Sequence, residues 1–188
     1  MSTIRDWRRN REMWVRLLEE QTTEGLDTWN QRIRKVSILD ERGLRTWLLA
    51  RGVTGYAQSL LVMERFGYPD FILATSDELI ENQYADRVHL RPIYDAIISA
   101  AAGCGEFVIQ ARKTYVSLVT PRRTFASVQP TTKTRVDLGL RLEGYKVGGR
   151  LQSSRSQETM RFQVELTTSD EVDREVQHWL ERAYLENS

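Results

Sequence analysis

The spacing of the apolar residues changes near Glu106, and this change constrains the fold more than any other feature of the sequence. Before it, apolar residues recur every three or four positions, which is typical of amphipathic helices. After it, they alternate with polar residues, which is typical of half-buried strands. The helical spacing returns only after Thr168. Helices, then an antiparallel β-meander, then a closing helix predict an α+β fold.

The clearest alternation lies in residues 135–142, where we expect a strand with one apolar and one charged face. The apolar face would hold Val136, Leu138, Leu140 and Leu142, and the other face Arg135, Asp137, Gly139 and Arg141. We expect Asp137 to be ionised and paired with both arginines. A general base at this position is the alternative interpretation.

Two domains are expected, a helical module over residues 1–70 and an α+β domain over residues 76–188. The apolar stripe of the first begins with Ile4, Trp7 and Trp14 at helical spacing. Gly67 stands where a glycine ends a helix, and proline at position 69 cannot continue one. The domain boundary is therefore placed at residues 68–70.

Composition excludes several classes of protein. The 188 residues include 27 Lys+Arg and 26 Asp+Glu, a net charge of +1, so total charge indicates no particular partner. The single cysteine, Cys104, excludes an internal disulfide, and a set of structural-zinc ligands is missing. The charged N-terminus lacks the apolar core of a signal peptide, and no apolar run is long enough to span a membrane. We therefore expect a cytoplasmic protein with no membrane partner.

No catalytic residue, cofactor or metal site is predicted from the sequence. Phosphate-loop, nucleotide-fingerprint, zinc-protease and nucleophile-elbow patterns are missing. His89, His178 and Cys104 are interpreted as structural, because neither histidine is linked to Cys104 in the sequence. A non-enzymatic binding function is therefore expected.

Charge is segregated along the chain although its sum is small. Residues 112–161 hold eleven basic and three acidic side chains, a net charge of +8, whereas residues 162–188 carry −5. Either the basic strands present a phosphate-binding surface, or acidic helices neutralise them within one domain. The glycine- and serine-rich segment 143–158 favours the first interpretation, because a long, mobile basic loop suits a polyanion.

Nucleic-acid binding, to DNA or RNA, is the leading functional hypothesis. Arg122 and Arg123 lie in a predicted turn, where their side chains would be solvated and would contact phosphates. Tyr115 offers a ring on which a base could stack. The flanking basic residues would be Lys133, Arg135 and Arg141.

The alternative hypothesis is a polar pocket over the sheet that binds a small anionic molecule or a protein. Its predicted lining is Lys113, Tyr115, Gln129, Arg135 and Asp137. Steep salt dependence would favour nucleic acid, whereas saturable and mildly salt-sensitive binding would favour the pocket. The sequence indicates no oligomeric state.

Three blocks of the C-terminal part stand out: RPIYDAIISAA, QARKTYVSLVTPRRTFASVQPTTKTRVDLGLRLEG and SDEVDREVQHWLERAY. Together they resemble an uncharacterised bacterial domain that is also found at the C-terminus of so-called predicted transport proteins. The stretch TWLLARGVTGYAQSLLVMERFGYPDF is similar to a small helical module of unknown function that often precedes that domain. The resemblance implies a two-part architecture, and it assigns no catalytic residues to this sequence. A more distant similarity to bacterial "double wing" domains implies DNA binding only by analogy of fold.

Overall fold

The computed structural model describes residues 3–4, 7–38, 40–154 and 159–188. The chain divides into two compact units. The helical unit lies within Asp6–Ala74, and the sheet unit joins Thr75–Ser188 to the segment Met1–Arg5. In the described residues, no helix is both long enough and apolar enough to cross a membrane.

The helical unit packs amphipathic helices around an apolar core. Leu18, Leu44 and Leu48 are fully buried in it. Trp14 and Trp29 are buried as well, so these two rings fill the core. The helices are α1 (Trp7–Thr22), α2 (Leu26–Lys35), α3 (Glu41–Leu49), α4 (Gly55–Phe66) and α5 (Asp70–Leu73).

Local sequence signals explain where helix α3 begins and where helix α4 ends. Asp40 caps α3, because its carboxylate accepts a hydrogen bond from the backbone N–H of Gly43 at 2.7 Å. Gly67 ends α4 with a φ of 100°, a conformation that glycine adopts without the strain a side chain would cause. The predicted glycine at the end of α4 is therefore confirmed.

The sheet unit packs one sheet against the helices that precede and follow it. Its strands are β1 (Thr3–Ile4), β2 (Val108–Ala111), β3 (Val116–Val119), β4 (Thr124–Gln129), β5 (Val136–Leu140), β6 (Gln152–Ser153) and β7 (Phe162–Leu166). Its α-helices are α6 (Ser76–Tyr84), α7 (Arg91–Ala102) and α8 (Arg174–Asn187). The strand order is β1-β2-β3-β4-β5-β7-β6, and all pairs except β1–β2 are antiparallel. The predicted α+β class is confirmed.

The first strand corrects the sequence prediction at Ile4. Its spacing predicts a helix, but Ile4 pairs in parallel with Ile109 of β2. The free edge of a strand offers unpaired backbone N–H and C=O groups. The backbone pairing gained at that edge outweighs the local helical periodicity. A strand of two residues is too short to show an alternating pattern in the sequence.

The closing helix begins later than the sequence predicts. Thr168 does form a capping box, but it caps a short 3-10 helix, Ser169–Glu171, and not the long closing helix. Helix α8 begins at Arg174 and is capped by Asp173, whose carboxylate accepts from the backbone N–H of Val176 at 3.1 Å. The sequence therefore holds two successive caps, and the second one starts the long helix.

The two faces of the sheet differ as the alternation predicts. Val136, Leu138 and Leu140 of β5 are fully buried in the apolar core. Helix α8 packs against β4 and β5, and α6 packs against β2. The opposite side, named the polar face here, carries the polar members of the alternating strands.

Candidate functional site

The polar face carries a row of small or uncharged residues across its middle. In register, the row is Gln110, Ser117, Ser127, Gly139 and Gln163. A Cβ at Gly139 would lie 2.5 Å from Ser127 Oγ and 3.2 Å from Met160 Cβ. Met160 is 1% exposed and packs on this glycine. The middle of the polar face is therefore uncharged, and the Met160 side chain covers it at Gly139 of β5.

Antiparallel pairing sends the predicted site residues to two opposite ends of the sheet. Strand β4 has six residues, which separates its ends by about 17 Å at roughly 3.4 Å per residue. The end where β4 stops and β5 begins, named the paired end, holds Lys113, Tyr115, Gln129, Lys133, Arg135 and Asp137. The other end, named the arginine end, holds Arg122, Arg123, Arg141 and Arg161.

At the paired end, the charges of the strands neutralise one another. Arg135 Nε lies 2.8 Å from Asp137 Oδ1, and Arg135 Nη1 lies 2.8 Å from Glu165 Oε1. Asp137, 8% exposed, also accepts a hydrogen bond from the Thr131 hydroxyl at 2.7 Å. The expected pairing of Asp137 with Arg135 is confirmed. Its expected pairing with Arg141 is wrong, because four residues of extended chain separate them.

The turn between β4 and β5 is held to the region after α6. Lys133 forms an ion pair with Asp86, and Arg87 donates to the carbonyl of Pro130 at 2.8 Å. Hydrogen bonds from Arg87 and Lys133 hold the pKa of the Asp86 carboxyl well below its usual range. The charge of Lys133 is thus compensated by an acid from outside the sheet.

The turn between β2 and β3 is held by a glutamine that the sequence analysis missed. Gln83 of α6 is buried, and its amide donates to the carbonyl of Arg112 at 2.8 Å and to that of Tyr115 at 3.2 Å. Lys113 lies exposed in this turn, and the Tyr115 ring is half-buried. No local pattern could identify Gln83, because its partners lie about thirty residues along the chain.

At the arginine end, two arginines face each other on neighbouring strands. Leu140 of β5 pairs with Phe162 of β7, and Arg141 and Arg161 are the next residues outward on these strands. Continuing the register by one pair brings them opposite each other on the polar face. Like charges in directly opposed positions destabilise a sheet. Arg123 joins them, because it lies immediately before β4 at the same end of the sheet.

The surroundings of Arg141 are net repulsive for a cation. Burial lowers the pKa of Arg141, and the charges of Arg123 and Arg161 lower it further, against the opposing effect of Glu143. Arg91 provides the contrast: burial lowers the pKa of its guanidinium, but the hydrogen bonds that it donates to Glu81 and Asp95 raise that pKa overall. Arg141 therefore lies in an excess of positive charge.

The arginine end is fixed to the end of α8. The Glu186 carbonyl accepts from Arg122 Nη1 at 3.4 Å and from Arg123 Nη2 at 3.3 Å. Asn187 is fully buried and donates to the carbonyl of Arg141 at 2.9 Å. Arg122 is exposed, but Arg123 is only half-exposed and also lies 3.3 Å from Glu143. The expectation of two solvated side chains holds for Arg122 and is wrong for Arg123.

Arg161 is the member of this cluster that sequence reasoning missed as a site residue. It immediately precedes β7 and has the same parity as Gln163, which places it on the polar face. Alternation alone could have assigned the face. Only the β5–β7 pairing shows that it meets Arg141.

The segment expected to be a mobile basic loop is anchored over its described part. Gly148 and Leu151 form a bridge, and Leu151 is 2% exposed. Arg150 lies 2.6 Å from Asp173 and donates to the carbonyl of Glu171 at 2.6 Å. Residues 155–158, including the predicted basic group Arg155, lie outside the described residues.

Cys104 and His178 line a common cleft between α7 and α8, of about 680 Å³. Burial raises the pKa of the Cys104 thiol, and the charge of Glu181 raises it further. This favours the protonated thiol over the nucleophilic thiolate. Over the described ranges, no group of histidine, cysteine and carboxylate side chains is placed to hold a metal ion.

The fold and the site together define an α+β domain whose sheet is backed by helices, with a buried, uncharged row on its polar face and charged groups at the two ends of the strands. Residues 80–187, more than half of the chain, match the family described as Domain of unknown function (DUF5655). The chain therefore belongs to this family, and the resemblance to a domain of unknown function is confirmed. The match begins within α6 and ends at the last residue of α8. Comparisons with curated proteins and with solved structures gave no match.

Proposed function

We propose that the sheet unit binds nucleic acid without catalysing a reaction, and that the arginine end makes the phosphate contacts. The observation that carries this proposal is the opposed pair Arg141 and Arg161 with Arg123 beside it. Such a group destabilises the free protein and is relieved by an anion. Arginine suits a phosphate because its planar group can donate two parallel hydrogen bonds.

The ion pairs show which residues of the predicted nucleic-acid-binding surface have uncompensated charge. Arg135 and Lys133 are compensated by carboxylates, so they have little charge left for phosphates. Lys113 and Tyr115 lie at the paired end, about 17 Å from the arginine end by the strand rise. The phosphate contacts are therefore assigned to Arg122, Arg141 and Arg161, and Arg123, which is partly compensated by Glu143, adds positive charge beside them.

The pocket hypothesis receives less support from the geometry. Its central residues, Arg135 and Asp137, are paired with each other, and Glu165 and Thr131 occupy their remaining sides. A small anion would have to displace a carboxylate to reach Arg135. This arrangement favours a structural ion pair.

The test is a fluorescence anisotropy titration of the full chain with labelled 20-base single-stranded DNA, RNA and duplex DNA at low salt. Because each lost contact to a phosphate removes a charge-assisted hydrogen bond, Arg141→Gln/Arg161→Gln should bind at least about tenfold more weakly. Arg112→Gln/Arg174→Gln is the matched control: it removes two exposed positive charges away from the arginine end and should bind as the wild type does.

Circular dichroism must first show that all variants are folded. Failure of the wild type to bind any of the oligomers would end the proposal. Equal affinity of the wild type and the double variant would remove the arginine end from it.

We also propose, from the resemblance, that the helical unit is the module that often precedes this domain, including in so-called predicted transport proteins. The same resemblance supports a bacterial protein, and we propose that it is cytoplasmic. Fractionation of a bacterial host that carries the gene tests the location. Recovery of the chain in the membrane or outside the cell would contradict it.

A further inference from the structure

The basic groups of the arginine end form a single concentrated site. Arg123, Arg141 and Arg161 lie at the same end of β4, β5 and β7, which are adjacent in the sheet. Neighbouring strands are about 4.8 Å apart, so the backbones of these three residues lie across roughly 10 Å. The charges of Arg123 and Arg161 both act on Arg141. A protein that follows a nucleic-acid strand instead spreads its basic groups along a groove.

Acidic groups bound this site towards α8, and uncharged groups bound it along the polar face. Towards α8, Glu143 lies 3.3 Å from Arg123, and Glu186 accepts from the backbone N–H of Glu143 at 2.9 Å. Along the polar face, Ser127, Gly139 and Gln163 come first, and then the carboxylates Asp137 and Glu165. Both carboxylates are already paired with Arg135, so a strand laid across the sheet would bring its next phosphates over uncharged or compensated groups.

The arginine end offers more hydrogen-bond donors and more positive charge than one internal phosphodiester group can use. Within the described residues, the only hydrogen bond of the Arg141 side chain runs from Nε to the Thr159 carbonyl, at 3.2 Å, which leaves its two Nη groups for a ligand. Arg161 is exposed and makes no side-chain hydrogen bond or ion pair to another described residue. An internal phosphodiester carries one negative charge, whereas a phosphate monoester carries about 1.5 to 2 at pH 7 and three acceptor oxygens.

We propose that the arginine end binds the terminal phosphate monoester of a nucleic-acid strand, with the rest of the strand leading away from the sheet. Arg141 and Arg161 would donate to the phosphate oxygens, and Arg123 would add charge from the side of β4. This inference rests on the proposed function. It specifies which phosphate of the nucleic acid is bound.

The experiment compares one 20-base DNA strand in three forms: with a 5′-phosphate, with a 3′-phosphate, and with hydroxyl groups at both ends. The fluorophore is placed on an internal base, so that both ends are free. One phosphorylated form should bind the full chain at least about tenfold more tightly than the hydroxyl form, the effect of one or two charge-assisted hydrogen bonds. That advantage should shrink as the pH falls below about 6, where the monoester takes up a proton.

Single variants locate the effect on the protein. Arg141→Gln and Arg161→Gln should each lose most of the advantage of the phosphorylated strand, and Arg161→Lys should keep part of it. Arg112→Gln, which removes an exposed charge near the paired end, should keep all of it.

The possible failures of the two proposals are distinguishable. Equal binding of the three forms overturns the terminal-phosphate inference and leaves the proposed function standing. No binding of any form overturns both. A mononucleotide 5′-phosphate is also tested as a competitor. If it competes as strongly as the phosphorylated strand does, the ligand is a small phosphate ester and not a nucleic-acid strand.

Discussion

Replacing Arg161 by glutamate should stabilise the fold while it removes an anion-binding group. The register places Arg161 opposite Arg141, and two unit charges about 6 Å apart repel by about 0.7 kcal/mol in water. Glutamate turns this repulsion into an attraction, and cross-strand charge pairs contribute up to about 1 kcal/mol. We therefore expect Arg161→Glu to raise the free energy of unfolding by about 1 kcal/mol.

The measurement is urea unfolding followed by circular dichroism, at low salt and in 1 M NaCl. Arg161→Met keeps much of the apolar stem and removes only the charge, so it should give about half the gain. The gain should vanish at 1 M salt, where charges are screened within about 3 Å. Arg112→Glu is the control, since Arg112 donates to Gln110 and is expected to bring no gain. A loss of stability in Arg161→Glu at low salt would refute the electrostatic reasoning.

Three further predictions concern the sheet and its closing helix. Gly139→Ala should lower the free energy of unfolding by about 1–3 kcal/mol through overpacking. Adding Ser127→Ala to the same chain should restore part of this stability, because it removes the oxygen that lies 2.5 Å from the new Cβ. Full stability of the single variant in thermal unfolding would contradict this prediction. Asp173→Ala should cost about 1 kcal/mol by removing the cap of α8. Hydrogen bonding to the backbone N–H of Val176 lowers the pKa of Asp173, so this stabilisation is present above its unfolded pKa and is lost as the pH falls through the folded one; an equal loss in the variant at all pH values would contradict it. Asp137→Asn should leave binding at the arginine end within about twofold of the wild type, since the ends are about 17 Å apart, whereas a pocket built on Arg135 predicts a clear loss in the same anisotropy assay.

The faces of the strands could be predicted from the sequence because burial imposes a period of two. In β5 this placed Val136, Leu138 and Leu140 in the core, and it placed Arg135, Asp137 and Arg141 together on the other face. The α+β class followed from the order of the two periodicities. Both depend only on neighbouring residues.

The composition of the site could not be predicted, because it depends on pairing between distant strands. Glu165 reaches Arg135, and Arg161 meets Arg141, only through the β5–β7 register. A segment of about twenty residues that includes β6 separates these strands, so no turn signal relates them. Arg123 likewise meets Glu186 across 63 residues of chain. Segregated charge therefore indicated a basic region, but not which of its members are neutralised.

The central claim is that the arginine end holds a nucleic-acid phosphate, and the salt dependence of binding tests it most directly. The affinity of the full chain for the tightest-binding oligomer is measured from 50 to 300 mM salt, for the wild type and for Arg141→Gln/Arg161→Gln. Log affinity should fall with log salt by about 0.7 to 0.9 per phosphate charge neutralised, and the double variant should lose the contribution of at least one such charge. The same slope in both proteins would contradict the claim, as would a wild-type affinity that does not change with salt.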